Sequence, residues 1–181
     1  MYMKKKSLPL AKVYQLLEPG PVIMVTTKSA KGKPNIMTMT WQMMVDFVPP
    51  ILAFVMSEDN YSFKALKATK ECVINIPAAD LVKTAVAIGE CSGSKVDKFK
   101  KFNLTPEKAS LVKAPLIGEC FANLECKVID MKMAKKYNIF ILEVVKAWIT
   151  TSKKRQRMLH HCGNGLFTID GKTVKLPFSK K

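Results

Sequence analysis

Three segments of the chain carry residue types that hold anions and flat polar ligands. The first is Cys91-Ser92-Gly93-Ser94-Lys95-Val96-Asp97-Lys98-Phe99, a small-residue turn that runs into a basic stretch. The hydroxyls and backbone N–H groups of such a turn, followed by an ammonium, suit a phosphate or carboxylate. The second is Ser57-Glu58-Asp59-Asn60-Tyr61-Ser62-Phe63, where a strand-like run gives way to a helical one. Ser57, Asn60 and Ser62 there either donate to an anion at the helix N-terminus or cap the helix themselves. The third is Thr38-Met39-Thr40-Trp41, an aromatic face beside hydroxyls and backbone amides. A flat aromatic ligand gains from both, although Trp41 reads equally well as a core aromatic with its N–H paired.

Strands must position these segments. Residues 21–27 are β-branched and apolar, 29–33 form a turn with Gly32 supplying positive φ, and 35–41 are extended again, which makes a hairpin. Val48-Pro49-Pro50 imposes extended backbone ahead of a strand over 51–56, and a further strand over 72–76 ends at Pro77. Helical spacing of Phe63, Ala65 and Leu66, with Lys64, Lys67 and Lys70 outside, predicts a helix over 61–69. A second helix is expected over 81–88 and a third over 95–102. Pro106 and Pro115 bracket an irregular connection expected to pack Leu111 and Val112.

Long strands follow over 121–130 and 137–150, separated by a lysine-rich turn at 131–136. In the latter strand Phe140, Leu142, Val144 and Trp148 share one face, and Ile139, Ile141, Val145 and Ile149 the other, so both faces need cover. A last hairpin, 166–169 with 173–176, is expected to turn at Asp170-Gly171. The sum is an antiparallel barrel with short helices inserted between strands. No GxGxxG or GxxxxGK turn supports a doubly wound nucleotide fold.

In this order, the three segments and the strands between them resemble the flavin reductase-like family over roughly residues 21–170. The resemblance implies a mainly β, FMN-binding split β-barrel, antiparallel and Greek-key-like, here as one domain over 1–181. It places Thr38, Met39, Thr40 and Trp41 alongside the isoalloxazine ring, and Ser57, Asn60, Tyr61 and Ser62 at the phosphate or ribityl chain. Ser92, Gly93 and Ser94, followed by Asp97-Lys98-Phe99, match the family's Ser-Gly turn and Asp-Lys-Phe. The Lys98 ammonium, oriented by Asp97 or beside a helix that Asp97 caps, would support the negative charge that appears on reduction. Gly163-Asn164-Gly165-Leu166-Phe167 resembles a glycine-rich turn near the flavin, which makes Phe167 a ring contact. Tyr137 stands where family members often have a histidine, and a phenol hydrogen-bonds but carries no positive charge.

The implied function is transfer of reducing equivalents by an FMN oxidoreductase, as an NAD(P)H-dependent flavin reductase or a flavoredoxin-like electron carrier. FMN carries the chemistry, NADH or NADPH is the candidate donor, and a redox partner or free flavin the acceptor. The resemblance also implies a homodimer with flavin near the subunit boundary. Two other readings compete: a non-enzymatic basic module that binds nucleic acid or an acidic protein, and a pyridoxamine phosphate oxidase-like enzyme on a related barrel.

Composition narrows these classes. The 181 residues are 48% hydrophobic, which excludes a disordered chain. No uncharged apolar window of about 18 residues spans a bilayer. Met1-Tyr2-Met3-Lys4-Lys5-Lys6 mimics the start of a signal peptide, but Pro9, Lys12 and Gln15 interrupt the apolar run that should follow, and a cytoplasmic protein without membrane contact is expected. The net charge of +16, from 30 basic and 14 acidic residues, attracts anions of every kind. Its lysines are spread along the chain, and only Lys153-Lys154-Arg155-Gln156-Arg157 is dense, which speaks against nucleic acid. Five cysteines without CxxC spacing read mostly as reduced core thiols, while Cys91 and Cys162 stand beside glycines in expected loops. His160-His161-Cys162-Gly163 is a weak metal motif, because neighbours on a strand point to opposite faces and the chain has no other histidine.

Overall fold

The computed structural model describes residues 7–17, 20–152 and 156–175. The signal-like start at Met1 to Lys6, the Lys153-Lys154-Arg155 part of the basic cluster and the end of the last expected strand at Leu176 lie outside the described residues. A 3-10 turn at Leu10–Lys12 and helix α1 (Tyr14–Leu17) come first. The expected hairpin is β1 (Ile23–Lys28) with β2 (Pro34–Met39), and Gly32 takes φ of 83° in its turn. β3 (Gln42–Phe47) folds back on β4 (Pro50–Val55). Next come α2 (Tyr61–Thr69), β5 (Glu71–Ile76), a 3-10 turn at Ala79–Leu81, α3 (Val82–Gly89) and α4 (Lys98–Lys101). A ribbon of β6 (Pro106–Glu107) and β7 (Leu116–Ile117) precedes β8 (Ala122–Asp130), the single-turn helix α5 (Ala134–Tyr137) and β9 (Ile139–Ile149). β10 (Leu159–His161) and β11 (Phe167–Ile169) pair at the end. No helix among the described residues is long and apolar enough to cross a membrane.

Seven strands form one antiparallel sheet in the order β2-β1-β5-β8-β9-β4-β3. β2 and β3 are its two edges, yet only Thr40 and Trp41 separate Met39 from Gln42. The sheet must therefore curl until its edges meet at this corner, and the Trp41 carbonyl accepts a bond from Val55 N–H (3.0 Å) to hold the step. Strand alternation fills the interior with Ile23, Val25, Leu52, Phe54, Ile74 and Leu142, and Phe140 packs between Phe54 and Phe63 with ring centroids 6.0 and 5.5 Å away. Met24 and Ile36 point outward and are covered by α3 and α4 through Ile88 and Phe99.

Five local expectations differ from the structure. Residues 42–47 form an edge strand that alternation does not announce, because Met43, Met44, Val45 and Phe47 are all exposed. Between β8 and β9, Glu125 faces Lys146 and Cys126 faces Val144, so Val145 has no opposite residue. This bulge reverses the alternation beyond it and moves Trp148 off the face of Phe140 and Leu142. The helix expected over 95–102 shrinks to α4, because the Ser92 carbonyl first accepts the Lys95 and Val96 amides and Asp97 then caps Lys100 N–H at 3.2 Å. Phe167 to Ile169 pairs with β10 and, among the described residues, forms no ladder with the chain beyond Asp170. Three consecutive positive φ values at Gly163, Asn164 and Gly165 make the reversal, while Asp170 binds His160 Nε2 at 2.9 Å and Met158 N–H at 3.3 Å. In the 106–115 connection Val112 is buried as expected, but Leu111 is exposed.

Glu125 holds that connection. Its fully buried carboxylate accepts bonds from the amides of Ser110 (2.9 Å), Leu111 and Val112 (3.2 Å) and from Trp148 Nε1 (2.8 Å). Glu71 takes the next amide, Lys113 N–H, at 2.8 Å. Burial pushes the Glu125 carboxyl up, but the bonds from Ser110, Trp148, Leu111 and Val112 outweigh it and hold the group below its ordinary value. Glu125→Gln should lower the unfolding free energy by about 2 kcal/mol in denaturant melts near neutral pH. Because the folded value lies below the unfolded one, the carboxylate's contribution is complete above roughly pH 4.3 and lost as pH falls through the folded value. The gap between wild type and variant should close on that acid side, and a gap that widens there would refute this account.

Candidate functional site

The start of α2 is an open helix end. Asn60 has the extended backbone of a cap residue (φ −72°, ψ 131°), but its side chain makes no capping bond. Ser57 does not cap either, since its hydroxyl is tied into a local turn with Asp59 Oδ2 (3.2 Å) and Asp59 N–H (3.3 Å). The positive end of the helix dipole therefore faces two adjoining hollows. The first, about 310 Å³, lies between β2, the start of α2 and the turn after α3, with Met37, Thr38, Ser62, Cys91 and Lys98 on its walls. The second, about 450 Å³, is lined by Thr27, Lys33, Lys64 and Ser94. Asn35, Asp59, Asn60, Tyr61 and Ser92 belong to both, with Glu90 also on the first and Glu58 on the second.

Hydrogen bonds fix the partition. Asn35 Nδ2 donates to Ser62 Oγ at 2.8 Å, which ties β2 to α2. Gly93 presses so closely on this pair that a Cβ would stand 1.9 Å from Asn35 Oδ1, so only glycine fits. Lys33 Nζ donates to the Gly93 carbonyl at 3.0 Å and lies 5.7 Å above the Tyr61 ring. Lys98 is buried, and its Nζ donates to the Ile88 carbonyl at 2.8 Å. Cys91 Sγ reaches the same carbonyl at 3.8 Å. Burial lowers the Lys98 pKa, and the neighbouring Cys91 thiol works in the opposite direction. Thr38 Oγ1 donates to the Ala85 carbonyl at 2.6 Å, which fixes β2 against α3.

The donor set fits a phosphorylated group. Thr27 Oγ1 is the one buried side-chain polar atom without a hydrogen-bond partner among the described residues, and Thr27 lines the second hollow. Native chains rarely leave such an atom unpaired. Lys33, Lys64 and the uncapped helix end bring positive charge to this hollow, and Glu58 and Asp59 bring carboxylates to its rim.

Of the residues singled out in the sequence, Thr38, Asn60, Tyr61, Ser62, Ser92, Gly93 and Lys98 converge on the first hollow, and Ser94 on the second. Met39 does not line either one; it is buried in the barrel core. Thr40 and Trp41 lie beyond the walls at the corner of the sheet, where Trp41 is 53% exposed and so is no core aromatic. Tyr137 is exposed at the end of α5 under the Lys136 ammonium (5.0 Å), and Asn138 with φ of 61° turns the chain away into β9. Phe167 packs on His161 at 4.8 Å, because β11 pairs with β10 and not with the barrel strands. Among the described residues no three His, Cys, Asp or Glu groups come together as a metal site.

Sequence reasoning missed Thr27, Lys33, Asn35, Lys64 and Cys91. The signal was present in the hairpin, since a turn over 29–33 sets Thr27 opposite Asn35 and puts both on one face.

Known proteins share this fold. Flavoredoxin of Desulfovibrio vulgaris (Miyazaki F) superposes with a TM-score of 0.85 over 98% of both chains at 25% identity. The FMN-binding domain of a flavin reductases-like enzyme from Shewanella baltica OS155 superposes with a TM-score of 0.80, covering 94% of this chain and 96% of that one at 26% identity. An uncharacterized protein of Archaeoglobus fulgidus is 34% identical over 117 residues, which span 65% of this chain and 66% of that protein. The curled seven-stranded sheet is thus a split β-barrel of the FMN-binding, flavin reductase-like kind. Residues 16–169 match the flavin reductase like domain, and the chain belongs to that family.

Proposed function

We propose that the paired hollows hold FMN and that the protein moves reducing equivalents, as a flavoredoxin-like carrier or an NAD(P)H-dependent flavin reductase. The observation that carries this reading is the convergence of Asn60, Ser62, Ser92, Gly93 and Lys98 on one hollow at the open end of α2, in a chain of the flavin reductase like family. Thr27, Lys33, Asn60, Ser62, Lys64 and Ser94 would hold the phosphate and ribityl chain. The β2 wall at Met37 and Thr38 would flank the ring. Bound flavin supplies acceptance of a hydride and onward release of electrons. The chain's own contribution is preorganised charge. The buried Lys98 ammonium is already fixed to Ile88 and acts in a medium of low dielectric, so its field needs no reorganisation when negative charge appears nearby.

A homodimer is proposed with it. Trp41, Met43, Met44, Val45, Phe47 and Val48 are each at least half exposed on one edge strand and its turn. A contiguous apolar edge of this kind is covered in soluble proteins, and a second copy covers it symmetrically.

Purified protein should show flavin absorption bands, bleached without air by NADH or NADPH if it is a reductase and only by a protein donor if it is a carrier. Inability to retain or rebind FMN would end this reading. Lys98→Met should weaken FMN binding roughly 10-fold to 150-fold in a fluorescence titration, the loss of one charge-assisted hydrogen bond. Lys95→Met removes the same charge at an exposed position outside both hollows and should change it less than about twofold. Equal effects would mean that only the general field matters. Gly93→Ala drives its Cβ into Asn35, so FMN affinity should fall by about 1–3 kcal/mol as the Asn35–Ser62 bond gives way. Sedimentation at micromolar concentration should give a dimer that Phe47→Lys dissociates. A wild-type monomer would contradict the proposed interface.

A further inference from the structure

A hollow of about 650 Å³ lies apart from the paired hollows. It lies across the β1–β2 hairpin, between its turn and the 106–115 connection. Lys28 and Pro34 are cross-strand partners and line it, whereas the next pair, Thr27 and Asn35, lines the phosphate-suited hollow. Strand alternation thus gives the hairpin one wall in each.

Its chemistry is distinct. Pro34, Pro106 and Pro115 bring no N–H group, and Ala109 and Val112 are buried carbon. The four successive amides from Ser110 to Lys113 are already bonded to Glu125 and Glu71. A ligand therefore finds apolar surface and the ammoniums of Lys28, Lys108 and Lys113, against one carboxylate at Glu107. None of the three ammoniums is ion-paired among the described residues. The volume lies within the range of small-molecule sites, and the carboxylate bonds hold the connection in place before any ligand arrives.

We propose that this hollow is a binding site for an amphiphilic organic anion, a flat or compact apolar body with one carboxylate or sulfonate end. An uncharged hydrocarbon would crowd the lysines without pairing them. Inorganic phosphate would pair with them but leave the proline and alanine surface wet. A molecule with both parts satisfies both, and the field of a chain carrying +16 concentrates it. This inference stands independently of FMN binding.

The test uses 2-naphthoate titrated into isotopically labelled full-length protein, followed by amide chemical shifts. Shifts should cluster at residues 28–34 and 106–113. Lys28→Met and Lys113→Met should each weaken binding about threefold to tenfold, and Lys95→Met less than about twofold. The neutral isostere 2-naphthamide should bind at least about fivefold more weakly. Ala109→Phe fills the hollow and should abolish binding, and if it fails to fold, the lysine variants and the amide decide the question. No shifts, shifts confined to residues 35–38, 60–62 and 91–98, equal loss in Lys95→Met, or equal affinity for the amide would each overturn the proposal.

Discussion

Two residues constrain the rest of this structure. Thr40 and Trp41 must carry the chain from one edge of a seven-stranded sheet to the other, a step of at most about 10 Å. A flat sheet of that width would hold its edges nearly 30 Å apart at ordinary strand spacing, so flatness is forbidden. Curling brings the inward residues of β1, β2, β4, β5, β8 and β9 round one core and leaves β2 and β3 adjacent without a shared ladder. The split has a consequence for chemistry. β2 has a sheet partner on one side only, so its other side is free to meet α2, α3 and the Ser92-Gly93 turn.

Buried polar groups reinforce the curl instead of opposing it. Asn75 lies within β5 with no exposure, and its Nδ2 reaches the Met24 carbonyl at 2.9 Å while Oδ1 accepts from Ile117 N–H and Asn123 Nδ2 at 2.9 and 2.8 Å. One amide thereby joins β1, β5, β7 and β8. Glu125 does the same for β8, β9 and the 110–112 amides. Such groups destabilise a core unless every partner is present. The described residues supply those partners with a single exception among buried side-chain atoms, Thr27 Oγ1.

Local patterns were legible and non-local ones were not. The helix over 61–69 coincides with α2 because its lysines and apolar residues alternate at helical spacing, and nothing distant overrides them. The 21–41 hairpin and the 72–76 strand were readable for the same reason. The bulge at Val145 was not, because an extra residue is visible only against the partner strand. β3 escaped because an edge strand facing no core shows no alternation. Asp170-Gly171 has the sequence of a tight turn, but Asp170 is worth more as an acceptor for His160 and Met158 once Gly163 and Gly165 make the reversal earlier. In the site, the two motifs at Asn60 to Ser62 and Ser92 to Lys98 did converge, while Met39 is buried in the barrel core and Tyr137 is exposed beside the left-handed Asn138.

The β1–β2 hairpin shows how little sequence is needed to separate two environments. Its turn is short, its register pairs Thr27 with Asn35 and Lys28 with Pro34, and these adjacent pairs face opposite sides. On one side hydroxyl, amide and ammonium groups, with the carboxylates of Glu58 and Asp59, surround an open helix end. On the other, proline rings and lysine stems meet a connection whose amides are already spent. A net charge of +16 raises the local concentration of any anion at both. Charge alone therefore cannot sort their ligands. What differs is what lies beside the charge: hydroxyl and amide groups at the start of α2 on one side, and proline, alanine and valine surface on the other.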